Sequence, residues 1–315
     1  MKYVLLLGAG FSRNWGGWLA SEVNGHLPTS AKVRGNAHVL EVLRRTADSG
    51  GFEAALAELQ DLYANMPAAE NRHHLQCLQE AILAMFADME AGFASKQGWE
   101  FCNDLQFKIA RFLSPFDAIF TLNQDLLFER HFHGLDLALT QPKKWFDWER
   151  PGLQALADDN RGYPPDVGKI RWTPRDQPFY RNQSNLPYFK LHGSWNWWSR
   201  NGEQMLVMGG NKVSTIQGHP LLRWYHEQFE GYLSEAGSRL MLIGYGFADP
   251  HINETIIRAS ESNPALSIFT VHPRGRVVIP DPLNKITDAG TSTRLLSETF
   301  AGDEAERRKI MRFFE

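Results

Sequence analysis

The residues best suited to chemistry in this 315-residue chain stand directly after apolar runs, in four places. Gly8-Ala9-Gly10-Phe11-Ser12 follows "YVLLL", and Thr121-Leu122-Asn123-Gln124-Asp125 follows "FDAIF". Leu191-His192-Gly193-Ser194 follows "LPYFK", and Gly244-Tyr245-Gly246-Phe247 follows "RLMLI". Each set brings a different capability. Glycines lack a Cβ, so a diphosphate could approach bare backbone amides where a helix opens. Asn123 and Asp125, two positions apart, pair a carboxamide that can place a water or a hydroxyl with a carboxylate that can hold an amide. His192 carries a ring whose ordinary pKa lies near neutrality and can take a proton from that water.

Taken singly, each set has a plain structural reading. Asn123 or Asp125 could cap the helix expected over "QDLLFERHF", the commoner fate of such residues at a helix start. His192 could be a satisfied structural histidine, Gly244 and Gly246 could end a strand, and the first glycine turn could only pack a helix on a sheet. The joint occurrence argues otherwise, because ligands of open parallel sheets bind beyond the carboxyl ends of the strands. Hydride-transfer chemistry is disfavoured. The ordinary dinucleotide fingerprint needs a third glycine where this chain has Arg13, and an acid about 20 residues on, where "HLPTSAKVRGN" has none. Two histidine clusters, "RHHLQC" (Arg72 to Cys77) and "HFH" (His131 to His133), lack acidic or thiol partners at good ligand spacing, so no metal site is expected there. Trp195, Trp197 and Trp198 in "HGSWNWW" read as an aromatic hairpin, whose alternation could set one ring over the site and another at a subunit contact.

The elements that must position these residues form an α/β pattern. "YVLLL", "FDAIFTLNQD", "LPYFKLHG", "RLMLIGYGF" and "LSIFTVHP" read as strands buried on both faces of a Rossmann-like parallel sheet flanked by helices, with "EQMLVMGG" as a further sheet segment. A short helix ending near Gly25 follows the first turn, and a helical insertion over 36–113 interrupts the pattern after the first βα unit. Residues 135–185, rich in Pro, Trp, Arg and Asp, read as an irregular insertion, of a length often used for lids or assembly surfaces. Residues 303–315 read as a capped amphipathic helix whose Ile310, Met311, Phe313 and Phe314 need a partner surface. Composition narrows the class. With 43% hydrophobic residues and a net charge of −3 spread over 33 basic and 36 acidic side chains, the chain can bury a large core and has no nucleic-acid footprint. Cys77 and Cys102 read as core thiols; without a C-x-x-C pair a structural zinc ribbon is excluded. The apolar run in "MKYVLLLGAG" is too short for a signal peptide or a membrane span, so a cytoplasmic protein is expected.

Together, G-A-G-x-S, T-x-N-x-D, L-H-G and G-Y-G-F-x-D-x-H-I resemble the sirtuin-like NAD-binding domain family. The chain most resembles the prokaryotic branch found in antiphage defence systems, where a glycine and a tryptophan continue the first motif as in "GGWLASEV". The matching motifs run from Val4 to about Ile252, with "FTVHP" as the expected last strand end; the insertions between them are unmatched. The resemblance implies one sirtuin-like domain over 1–315 with NAD as substrate. It places Gly8, Ala9, Gly10 and Ser12 on the phosphates, with Phe11 and Thr121 in the same binding set. Asn123 would orient water or ribose at the reacting carbon, Asp125 would hold the nicotinamide amide, and His192 would be the general base. Gly244, Tyr245 and Gly246 would flank a phosphate and the adenine-side ribose, and His272 would touch the adenosine.

Three departures bear on activity. The tetra-cysteine zinc module is absent, Leu122 stands where a glutamine is expected, and "GGWLASEV" replaces G-I-P-D-F-R. All three weaken peptide deacylation and leave NAD binding intact. The resemblance therefore implies a zinc-free NAD glycohydrolase (NADase) giving nicotinamide and ADP-ribose. Its expected role is NAD depletion in antiphage defence, restrained until triggered, within a homo-oligomer and, in some relatives, beside a HerA-like hexameric ATPase. An NAD-dependent deacylase or ADP-ribosyltransferase, and a non-catalytic NAD or ADP-ribose sensor, are the alternatives.

Overall fold

A computed structural model describes residues 1–95, 100, 108–131, 137, 144–156, 167–290 and 295–315. The strands are β1 (Tyr3–Leu7), β2 (Ala118–Thr121), β3 (Asp147–Glu149), β4 (Leu153–Ala155), β5 (Trp172–Pro174), β6 (Asn185–Lys190), β7 (Gly193–Trp198), β8 (Gln204–Leu206), β9 (Arg239–Ile243), β10 (Ser267–Val271) and β11 (Thr287–Gly290). Seven of them form a parallel sheet in the order β11-β10-β9-β1-β2-β6-β3. The chain leaves β1 toward β2 on one side and later returns to β9 on the other. The strand order therefore reverses at the β1/β9 pair, where a crevice opens beyond the carboxyl ends.

Burial explains why β1 reads as an unbroken apolar run. Val4 and Leu6 point into one core cluster and Leu5 and Leu7 into another, and all four are fully buried. The first cluster includes residues of the long helices from Pro220–Ser234 and Pro250–Ser262, such as Tyr225, Phe229 and Ile256. The second includes Leu127 and Phe128, together with the C-terminal segment. There Asp303 accepts a hydrogen bond from the Glu306 amide at 3.0 Å and caps the helix Glu304–Met311. Ile310 and Phe313 are buried, and the Phe313 and Phe314 rings pack on Tyr3 and Phe116. The apolar face of the C-terminal helix finds its partner within the chain.

The described part of 36–113 is helical, with long members over Ala37–Thr46, Gly51–Asn65 and Ala69–Ser95. These helices share a core of their own with the short helix Ala20–His26, around Val23, Leu59, Ile82 and Met85. Cys77 lies on this layer half-exposed, its sulfur 3.6 Å from His73 Nε2, and is not a core thiol. Cys102 and His133 lie outside the described residues. Of the stretch 135–185, the described residues include β3, β4 and β5. β3 extends the main sheet, while β4 and β5 join β7 and β8 in a second sheet of order β4-β5-β7-β8. Three-residue strands are too short to display an alternating pattern, which is why the stretch reads as irregular. No helix among the described residues is long and apolar enough to cross a membrane.

Candidate functional site

The site begins where the β1 and β9 loops touch. The Gly8 amide donates to the Ile243 carbonyl at 3.0 Å and the Gly10 amide to the Gly244 carbonyl at 3.1 Å. A Cβ on Gly8 would lie 2.5 Å from the Gly244 oxygen, and one on Gly244, whose φ is +64°, would lie 2.4 Å from the Phe11 nitrogen. These glycines are required first for loop-to-loop contact. The bare-amide cradle expected from the sequence is correspondingly reduced, because the Gly10 and Phe11 amides already have carbonyl partners. Ala9 offers the amide that no described group takes.

Behind this loop runs a directed chain of hydrogen bonds. Asn123 Nδ2 donates to the Gly8 carbonyl at 3.0 Å and to Ser12 Oγ at 2.9 Å. Ser12 Oγ donates in turn to Asp125 Oδ2 at 2.8 Å, and Asp125 Oδ1 accepts the Leu127 amide at 3.0 Å. A carbonyl can only accept, so the Gly8 oxygen fixes which end of the Asn123 carboxamide is the NH2 group. Its Oδ1 remains as the acceptor for a ligand. The Asn123 amide is held by Thr121 Oγ1 at 3.0 Å, and that hydroxyl reaches back to the Leu7 carbonyl. Below Asp125, the fully buried Lys190 ammonium bonds the Asp125 carbonyl, Ser194 Oγ at 2.9 Å and Glu129 Oε1 at 3.0 Å. Burial pushes the Asp125 pKa up, while the Lys190 charge, the Leu127 amide and the Ser12 hydroxyl pull against it.

His192, at the turn between β6 and β7, is 3% exposed. Its Nε2 lies 3.0 Å from Nε2 of His251, so one of the two rings donates and the other accepts. His226 Nε2 donates to the Leu191 carbonyl at 3.0 Å, and its ring centroid stands 5.7 Å from that of His251. Lys212 Nζ bridges Asp249 Oδ1 and Glu53 Oε2, at 2.6 Å each, and so ties the helical insertion to the loop after β9. Burial drives the His192 pKa well below the usual histidine value; nearby Asp249 opposes this, while Lys212, His251 and His226 add to it. The ring is neutral at pH 7 and able to accept a proton. Burial also lowers the His251 pKa. The Asp249 carboxyl, raised by burial, is brought net below its ordinary value by His192 and Lys212.

These groups surround a cavity of about 700 Å³. Of the residues picked out from the sequence, Gly8, Ala9, Gly10, Asn123, Asp125, His192, Gly244, Tyr245, Gly246 and His272 line it. Phe11, Ser12 and Thr121 do not; they stand one layer behind the wall. Phe11 is fully buried against the Trp15 and Phe128 rings, and the hydroxyls of Ser12 and Thr121 are used to hold Asn123 and Asp125. Trp195, Trp197 and Trp198 are not among the lining residues; Trp197 is fully buried in the core. The opposite wall is apolar and comes from the helical layer, with Val23, Phe52, Met85, Phe86 and Met89.

Sequence reasoning passed over Glu53 and Lys212, and it took Asp249 and His251 only as letters of the G-Y-G-F-x-D-x-H-I motif, with no role assigned to either. The segment "FADPHI" held the only usable signal, an acid and a histidine flanking a proline at the start of the helix Pro250–Ser262. That helix start is held rigidly. The Tyr245 hydroxyl bonds Asn253 Oδ1 at 2.8 Å, and Asn253 Nδ2 donates to the carbonyl of Phe247, whose φ is +57°.

No curated protein matches the sequence. Among solved structures, one described as bearing on the mechanism and regulation of Sir2 enzymes is similar over 99% of this chain and 93% of its own, at 11% identity and a TM-score of 0.39. An ADP-ribose complex of a Sir2 homologue variant is similar over 99% of this chain and 94% of its own, at 15% identity and a TM-score of 0.38. The pattern described as the SIR2-like domain matches residues 117–292, from the residue before β2 to just past β11 and so across most of the strand-end loops that line the cavity. This chain belongs to the SIR2-like domain family.

Proposed function

We propose that the chain is an NAD glycohydrolase that cleaves NAD to nicotinamide and ADP-ribose. The observation that carries this reading is the meeting of Asn123, Asp125 and His192 in one cavity beyond the β1/β9 switch point, beside the glycine loops. The nicotinamide–ribose bond is already activated, since nicotinamide leaves neutral from a cationic ring through an oxocarbenium-like state. Such a reaction needs positioning more than a strong acid. Asp125, its two oxygens held by Ser12 and Leu127, has lone pairs left for the nicotinamide amide. Asn123 Oδ1 accepts from a water or a ribose hydroxyl at the anomeric carbon. His192 takes the proton when its Nε2–H faces His251, because the lone pair then lies on Nδ1.

Purified chain incubated with NAD should release nicotinamide and ADP-ribose, quantified by mass spectrometry. General-base assistance is worth about two to four powers of ten, so His192→Ala and Asn123→Ala should each lose at least about 100-fold in turnover while remaining folded. Wild-type turnover by either folded variant would remove that residue from the mechanism. Release that depends on an added acyl-lysine peptide would instead indicate a deacylase, and tight binding without release would indicate a sensor or an enzyme still waiting for its partner. The motif resemblance supports a role as the NAD-depleting effector of an antiphage defence system, in a homo-oligomer or with a HerA-like hexameric ATPase. An unrestrained NADase would harm its own cell, so the activity would be released by a trigger. NAD measured in phage-challenged cells, with and without His192→Ala, tests that role.

A further inference from the structure

We propose that His192, His251 and Asp249 form a binding site for a divalent transition ion of the zinc type, and that the bound ion shuts off the catalytic base. The inhibitory half rests on the reading of His192 given above; the binding half does not.

The donor atoms of the three residues all lie within 4.8 Å of one another. The two Nε2 atoms are 3.0 Å apart. A tetrahedral zinc ion with ordinary Zn–N bonds spaces its ligand nitrogens about 3.3 Å apart, so a few tenths of an ångström of ring movement would admit it. Asp249 Oδ1 is fixed by Lys212, leaving Oδ2 for the ion. Glu53, 2.6 Å from the same ammonium, offsets the Lys212 charge that would otherwise oppose a cation. Two imidazole nitrogens and one carboxylate oxygen suit zinc, nickel or copper rather than magnesium or calcium, which prefer oxygen. His192 and Asp249 both line the cavity, which gives the ion a route in and room for a water as fourth ligand.

The inhibitory consequence follows from counting protons. A neutral imidazole carries one N–H. Coordination through His192 Nε2 forces that proton onto Nδ1, the nitrogen whose lone pair the reaction needs. Occupancy and base catalysis therefore exclude one another.

The full chain, freed of metal by a chelator, is titrated with zinc by calorimetry and with cobalt(II) by visible absorption. Expected are one equivalent bound per chain, a tetrahedral cobalt band, and a loss of affinity of at least about tenfold in both His251→Ala and Asp249→Asn. Far-ultraviolet circular dichroism verifies that each variant is folded. Cys77→Ala, which removes the sulfur beside His73 on the surface, should bind as wild type does. NAD hydrolysis should fall with zinc occupancy and return with chelator. Stoichiometric binding that survives in folded His251→Ala and Asp249→Asn, or that disappears in Cys77→Ala, overturns the site. Hydrolysis unaffected at full occupancy overturns the inhibition. If the chain hydrolyses no NAD but binds zinc through these residues, the site stands and the glycohydrolase reading falls.

Discussion

Ser12→Ala separates two roles that the same hydroxyl could play. Beyond G-A-G, a serine would ordinarily be read as a phosphate ligand. In the folded chain its proton goes to Asp125 Oδ2 at 2.8 Å and its lone pair receives Asn123 Nδ2 at 2.9 Å, and the side chain is 2% exposed. Alanine removes both bonds without adding bulk. Addition is not an option, since Gly17 already packs against the Ser12 Cβ so closely that a Cβ on Gly17 would lie 2.6 Å from it. A hydrogen bond to a buried charged group is worth about 1.5–3 kcal/mol. Asn123 keeps its bond to the Gly8 carbonyl and Asp125 keeps the Leu127 amide, so alignment is weakened rather than lost. If most of that energy serves the transition state, kcat should fall about 10- to 100-fold. KM for NAD should change by less than about threefold, because no direct substrate contact is removed. Initial rates of nicotinamide release over a range of NAD concentrations give both constants, with thermal unfolding as a control for folding. A KM raised in that same proportion at unchanged kcat would refute this placement and return Ser12 to the phosphate.

Gly244→Ala should be severe for a different reason. It combines a left-handed φ of +64° with a Cβ 2.4 Å from the Phe11 nitrogen, and a loss of about 3 kcal/mol or more is expected, lowering the thermal midpoint by at least about 5 °C. An unchanged midpoint would mean that the two loops separate easily. Lys190→Met removes the only ammonium hydrogen-bonded to the buried Glu129 carboxylate among the described residues, leaving it the Arg150 charge nearby, and should cost about 3–5 kcal/mol in denaturant unfolding, most of it recovered when Glu129→Leu is added; equal losses in the single and double variants would contradict that coupling. His226, half-buried between the Leu191 carbonyl and His251, has its pKa pushed down to about 4, chiefly by loss of solvent around the ring. Between about pH 4 and 6.5 the unfolded chain binds the extra proton, so this contribution is complete above 6.5 and lost as pH falls, by up to about 3 kcal/mol near pH 4. His226→Gln should flatten that slope in denaturant titrations repeated across the interval; an unaltered slope would assign the acid sensitivity elsewhere.

The parts of this site that can be read along the chain and the parts that cannot divide for a physical reason. A strand buried on both faces is a continuous apolar run, and its last residue points to the crevice, so Asn123, Asp125, His192 and Gly244 announce themselves by position alone. What each does there depends on partners remote in sequence. Ser12 meets Asp125 across 113 residues, and His192 meets His251 across 59. No local periodicity carries those distances, and the strands of three residues that complete the sheets are too short to show any. The glycines make the same point from the other side. Their absence of a Cβ is legible, but whether the freed space admits a phosphate or the neighbouring loop is decided by where Gly244 lies, and here Gly244 fills it. A proton that Ser12 has given to Asp125 is not available to a phosphate, and an amide that Gly10 has given to Gly244 is not available either. On the proposed reading, NAD meets what these residues have left after the fold has taken its share: the Ala9 amide, Asn123 Oδ1, the remaining lone pairs of Asp125 and one nitrogen of His192.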